Sequence, residues 1–240
     1  MHKDRSLREI EKMSPSERWR LAREKLSNLE NNGAVPTLLG HMRAHENTRW
    51  LVYMSHLSDQ IPRSHAAHAF TELQNSVLHY EIMRLCTFWE PVDLDGRSIP
   101  TIVALADCSG VSECVYKHHF SHYQSYDLDE AKKWGIKARR RLRTGIRGAK
   151  EVEGSDILLH VRNFRDKLAH QLEQTHKEKD SAVPLPRYCD ERRLLKKTVT
   201  TVNRLYLSLN GTGFDWDTAK AMHRRNAEAF WKGIKIEIVR

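Results

Sequence analysis

Ser155-Asp-Ile-Leu-Leu-His160-Val-Arg-Asn-Phe-Arg165-Asp-Lys-Leu-Ala-His170 is the stretch that decides the fold. At about 100° per residue, Ile157, Val161, Phe164, Leu168 and Leu172 share one side of a helix. Asn163, Asp166 and His170 fall on nearly the opposite side, with Arg162 beside them. Arg165 sits on the flank of the apolar side, so its stem can pack while its head reaches a neighbouring helix or a second subunit. One face of such a helix builds core. The other offers a carboxamide, a carboxylate, an imidazole and a guanidinium within one or two turns.

Upstream, residues 131–150 hold nine basic side chains and no acid. They are Lys132, Lys133, Lys137, Arg139, Arg140, Arg141, Arg143, Arg147 and Lys150. The chain carries 40 Lys and Arg against 31 Asp and Glu, so its whole formal charge of +9 belongs to this segment. Trp134, Ala138, Leu142, Ile146 and Ala149 recur at helical steps. Asp127, Asp129 and Glu130 precede them, where negative charge suits a helix N-terminus. Gly135, Gly145 and Gly148 work against the helix, each costing about 1 kcal/mol relative to Ala. The segment reads as a phosphate-tracking face, with Lys137, Arg139, Arg140, Arg143 and Arg147 as its contacts. The alternative is a solvated basic face. Trp134 either packs in the core or stacks a base beside Lys133 and Lys137.

Helical signals fill the rest. Ser14-Pro15-Ser16-Glu17 is a capping box with proline at the first turn, opening a helix to about residue 29. A second helix is expected from Thr37 to about Ser58. A third starts after Ser64, its stripe running through Phe70, Leu73 or Gln74, Val77, Ile82 and Leu85 until Glu90-Pro91 stops it. Ser98-Ile99-Pro100-Thr101 opens a short helix to Ala106. Residues 108–110 read as loop, and 118–126 show no clear pattern. Gly154-Ser155 recaps the chain for the helix that reaches about residue 177. A linker spans 182–186. Asp190 is expected to cap the next helix, residues 210–213 to turn, and Asp217 to Trp231 to form the last helix. Ile234 to Ile238 alternates apolar and charged residues, as in a strand. An all-α helical bundle is the consistent architecture, with residues 1–35 as an N-terminal helical extension and 36–240 as the bundle.

At 240 residues the chain is long enough for a core without staples. Its apolar runs are too short to span a membrane. No secretory signal is visible at Met1-His2-Lys3-Asp4-Arg5, so the four cysteines are expected to be reduced, in a cytoplasm.

An imidazole near neutrality and a guanidinium that grips phosphate suit work on a phosphodiester. A polar face with one histidine also describes an ordinary solvated helix. Arg165-Asp166-Lys167-Leu168-Ala169-His170 resembles the signature of the HEPN superfamily: an Arg, a polar Asn, Asp or His directly after it, and a His, with four to six residues between the Arg and that last His. The surroundings resemble its abortive-infection AbiU-type branch. They are the Ile61-Pro62-Arg63-Ser64 break, the helix through Leu73 and Glu81 to Leu85, the Ser98-Ile99-Pro100-Thr101 start and the Leu168-Ala169-His170 ending. The resemblance spans roughly residues 37–207.

The resemblance implies a HEPN-like bundle of four to five core helices. It also implies a metal-independent endoribonuclease without cofactor, a toxin or phage-defence effector. Two copies of the motif helix would meet in a homodimer, forming a composite site. Arg165 would polarise the scissile phosphate and His170 would act as acid or base while the 2′-OH attacks. Asp166 would orient His170 or the partner's arginine. Arg162 and Asn163 are added as phosphate and supporting contacts. RNA is the implied substrate, and a neutralising antitoxin the implied partner. Two features depart from relatives: Asp166 stands where many carry Asn, and Leu172 where adenylylated toxins carry Tyr. The alternative is a non-catalytic helical module binding RNA, a nucleotide or a protein. A DNA-binding regulator is weaker, for want of a helix-turn-helix. Cys108, Cys114, His118, His119 and His122 lack a zinc spacing, so buried thiols and surface histidines are the simpler account.

Overall fold

Ser14 starts its helix as the capping box requires. Its Oγ accepts from the Glu17 N–H at 3.3 Å, and the Glu17 carboxylate accepts from the Ser14 N–H at 2.9 Å, so two orphan donors are satisfied reciprocally. Ser98 caps with its Oγ on the Thr101 N–H, and Asp127 with its carboxylate on the N–H groups of Asp129 and Glu130 at 2.7 and 3.1 Å.

The structure, a computed structural model, describes residues 2–28, 33–63, 65–169, 187 and 189–237. Among these residues the chain forms eleven α-helices and no strand. They are α1 (His2–Lys12), α2 (Pro15–Ser27), α3 (Ala34–Thr48), α4 (Ser55–Ser58), α5 (His65–Thr87), α6 (Ile99–Ala106), α7 (Ser109–Tyr123), α8 (Leu128–Glu153), α9 (Asp156–Ala169), α10 (Asp190–Asn210) and α11 (Trp216–Trp231). This is the all-α bundle that the periodicity implies. Its core joins Leu85 and Trp89, Ile102, Leu142, Leu158 and Leu194, all fully buried. Each such side chain contributes about 1.5–3 kcal/mol by leaving water. The Trp89 indole N–H donates to Thr198 Oγ at 2.9 Å, so its one polar atom is satisfied inside the core. Ile10, Ala22 and Leu26 of the first two helices belong to the same core.

The basic segment is a helix despite its glycines, and two of these glycines explain its packing. A Cβ on Gly135 would stand 2.6 Å from the Tyr116 ring of α7, and one on Gly145 would stand 3.2 Å from Leu205 of α10. Both are close-approach positions that let α8 pack against its two main neighbours.

Five expectations differ in detail. The helix from Thr37 does not run unbroken to Ser58: it widens into a π-helical turn over Arg49–Tyr53 and breaks at extended Met54. The Gln74 side chain takes the Leu51 carbonyl at 2.6 Å, a tertiary partner for a backbone group of the turn, and Tyr53 Oη anchors the turn to α10 by donating to Glu191 at 2.6 Å. Residues 109–123 are helix α7, where Val111, Val115 and His119 form a short buried stripe. The buried stripe of α9 is centred on Leu158 and Val161, with Ile157 and Phe164 only partly covered. Asp190 is the first residue of α10 and not its cap; Cys189 caps, in the left-handed region at φ 68°. Ile234 to Glu237 forms no strand among the described residues, and Gln60 holds it through the Ile236 N–H and the Ile234 carbonyl. Ser64 and the linker 182–186 lie outside the described residues.

Candidate active site

α9 leans on α5 through a buried contact, the Cys86 thiol pointing at the Val161 carbonyl at 3.8 Å. Burial pushes that thiol up to about 11, so it is protonated at neutral pH and is no nucleophile there. One turn further along α9 stands Arg165. Its side chain is three-quarters buried, and its guanidinium makes two bonds to carboxylates. Nη1 pairs with Glu90, just past the end of α5. Nε donates to Asp166 Oδ1 at 2.8 Å. Burial works against the charge of this guanidinium, yet the hydrogen bond to Asp166 and the field of Glu90 outweigh it and hold the group firmly protonated. The head of Arg165 therefore reaches a neighbouring element, as its place on the helix flank implies.

Asp166 is more than half exposed and engages Arg165 of its own chain. Arg162 donates through Nη2 to the Trp89 carbonyl, tying α9 to the end of α5 with one of its five donors. Asn163 is half-buried. His170 and Leu172 lie outside the described residues, as does the expected course of this helix to residue 177. The Arg165 head thus sits at the mouth of the loop that follows α5. Beside it opens a hollow of about 380 Å³ lined by Glu90, Pro91, Asp93, Arg97 and Ser98. Glu90 is the neighbour of Arg165 that sequence reasoning missed, because an acid before a proline signals only a helix end.

The basic face of α8 divides into two sets. Lys132 and Lys133 pair with Asp129 and Glu130 on their own helix, Lys150 pairs with Asp107 at 2.6 Å, and Arg139 pairs with Glu113 at 3.3 Å. Arg140, Arg143 and Arg147 are exposed and have no acid within ion-pair distance among the described residues. Arg143, Arg147 and Lys150 line a shallow hollow of about 460 Å³. Trp134 is stacked on Tyr123 at 5.4 Å, with Lys137 over its ring at 4.4 Å, so protein groups already occupy its aromatic surface. His119 is buried and bonded through Nε2 to the Ser208 carbonyl at 2.9 Å, a structural role. No helix among the described residues is long and apolar enough to cross a membrane.

The all-α bundle is the fold that the resemblance implies. Neither curated proteins nor solved structures yield a match to the chain. A family model described as AbiU2, of the HEPN type, matches residues 34–230, from the start of α3 almost to the end of α11, and the chain belongs to that HEPN AbiU2 family.

Proposed function

We propose that the protein is a metal-independent endoribonuclease acting as a homodimer in the cytoplasm, a toxin or phage-defence effector. The observation that carries this reading is Arg165: a three-quarters-buried guanidinium held by two carboxylates, one of which, Glu90, lines a hollow, in a chain of the HEPN AbiU2 family. An incoming phosphate competes for the same bidentate donors. The reaction then needs no cofactor. Arg165 binds a non-bridging oxygen of the scissile phosphate. His170, from this chain or its copy, takes the proton of the 2′-OH or gives one to the leaving oxygen. The 2′-oxygen forms a bond to phosphorus while the bond to the 5′-oxygen breaks, leaving a 2′,3′-cyclic phosphate and a 5′-OH.

Asp166 positions Arg165, Arg162 and Asn163 flank the phosphate, and the unpaired arginines of α8 track the RNA backbone with Lys137 and Arg139. Dimerisation has a candidate surface on the elements that carry the site. Leu73, Tyr80 and Met83 of α5 and Leu159 of α9 are large apolar side chains left exposed. A neutralising antitoxin would act by covering Arg165 or by separating the two copies.

A second reading rests on the same ion pair. With Arg165 already neutralised inside one chain, α9 can be a structural edge of a module that binds RNA without cutting it. Purified protein incubated with total RNA in EDTA separates the two. The nuclease yields cyclic-phosphate ends that disappear in His170→Ala and Arg165→Ala. RNA retention without new ends in the unaltered protein leaves only the binding module.

A further inference from the structure

We infer that Cys189 is a site of reversible S-thiolation, its sulfur forming a mixed disulfide with an anionic low-molecular-weight thiol of the glutathione class. Cys189 lines a cleft of about 630 Å³ between α3, α10 and α11, within the size range of sites that hold a cofactor-sized ligand. It is half-buried and its thiol is free. It caps α10 in the left-handed region at φ 68°, the one non-glycine residue at positive φ among the described residues, a conformation that L-residues seldom adopt. The Arg192 side chain, one turn along, comes back to it, with Nη1 3.9 Å from Sγ. Cys108 and Cys114, also half-buried, line neither this cleft nor the two hollows described above, and Cys86 is buried.

The cleft selects the charge of the incoming disulfide. Arg49, Arg192, Arg193, Lys196, Lys220 and Arg224 line it, against two carboxylates, Glu46 and Asp217. Glu46 pairs with Arg49 at 3.5 Å, and buried Asp190 pairs with Arg193 at 3.3 Å. Arg192, Lys196, Lys220 and Arg224 have no acid within ion-pair distance among the described residues. A concavity lined by one sign of charge raises the local concentration of the opposite sign, and the positive end of α10 adds to that field. A second feature points to a ligand. The indole N–H of Trp216, a lining residue only 7% exposed, has no hydrogen-bond partner among the described residues. Glutathione disulfide carries more carboxylates than ammonium groups, so its net charge is negative, and its peptide carbonyls are acceptors. In the exchange, the Cys189 sulfur gives up its proton to solvent and attacks one sulfur of the disulfide. A bond forms between Sγ and that sulfur, the original S–S bond breaks, and the other glutathione leaves with the electron pair and takes a proton. Cys189 is oxidised and one glutathione is reduced; excess thiol reverses the step. None of these residues belongs to the Arg165 site, and the inference does not rest on the ribonuclease reading.

The test treats the reduced full chain with glutathione disulfide or with uncharged hydroxyethyl disulfide, quenches at intervals and maps the adducts by peptide mass. Glutathione disulfide should modify Cys189 at least about tenfold faster than Cys108 or Cys114, and dithiothreitol should remove the adduct. Lys196→Glu/Lys220→Glu, at exposed positions, should slow glutathione disulfide at Cys189 by at least about tenfold and leave the rate with the uncharged reagent unchanged. Arg140→Glu/Arg147→Glu on α8 should leave both rates unchanged. Added salt tests the same attraction without altering the chain: it should slow glutathione disulfide and spare the uncharged reagent. The inference is overturned if Cys189 gains no adduct, or if Cys108 or Cys114 reacts with glutathione disulfide as fast. It is overturned equally if the cleft variant reacts with glutathione disulfide at the unaltered rate, or if salt acts alike on the two reagents in the unaltered protein.

Discussion

Arg165 on α9 and Glu90 beyond the end of α5 form an ion pair, so the residue proposed to bind phosphate is already occupied by a carboxylate 75 positions earlier in the chain. Substrate must displace that carboxylate. A half-exposed pair of this kind is worth at most about 1 kcal/mol, enough to tune the site without closing it. Glu90→Gln keeps the shape and removes the charge. RNA affinity should rise up to about fivefold, read by filter binding at fixed salt, with cyclic-phosphate ends appearing faster at low RNA concentration. Unchanged affinity would detach Glu90 from any control of Arg165.

The unpaired arginines of α8 make a prediction about salt. Converting Arg140, Arg143 and Arg147 to Gln should lower RNA affinity and flatten its dependence on salt. On single strands each lost phosphate contact removes about 0.7 from the logarithmic slope, so the triple variant should lose about 2. The same change at Lys132 and Lys133, which are paired within the helix, should move the slope less. Equal slopes for all three proteins would leave α8 as a solvated face.

His41 should make the fold acid-sensitive. It is fully buried, neither ring nitrogen has a partner among the described residues, and burial lowers it to about 4 from an ordinary 6.5. Below pH 6.5 the unfolded chain takes up a proton that the folded chain refuses until about pH 4. Stability therefore falls as pH drops through that window, by on the order of 3 kcal/mol in full, and His41 contributes nothing to the pH dependence above it. His41→Leu should flatten the denaturant midpoint between pH 6.5 and 4.5 relative to the unaltered protein. Parallel curves for the two would show that the imidazole is not buried as a neutral ring.

The glycines of α8 should respond in opposite directions. Gly135→Ala gains about 1 kcal/mol of helix propensity but drives a methyl into the Tyr116 ring, and overpacking of that kind costs about 1–3 kcal/mol. A net loss is expected, restored by adding Tyr116→Ala. At Gly148 the new methyl meets only the tip of the Arg204 side chain, at 3.4 Å, so Gly148→Ala should stabilise by up to about 1 kcal/mol. Thermal melts of the three variants check both signs.

Helix starts at Ser14, Ser98 and Asp127, the stripe of α8 and the turn at Gly211 were determined by the sequence alone, because each depends on residues within one or two turns. The family signature was equally local. Helix α7 was missed for the same reason: Cys108 gives it no side-chain cap, and only two of its buried residues, Val111 and Val115, are apolar. Other features required the folded chain. The Gln74 amide takes the Leu51 carbonyl inside the π-helical turn that follows Thr48. Glu90 meets Arg165 because α5 and α9 pack side by side. The cationic cleft draws its cations from the turn after α3 and, more than a hundred residues further along the chain, from α10 and α11. A hydrogen bond or a charge acts through a few ångströms of space, and only tertiary packing decides which distant residues come within them.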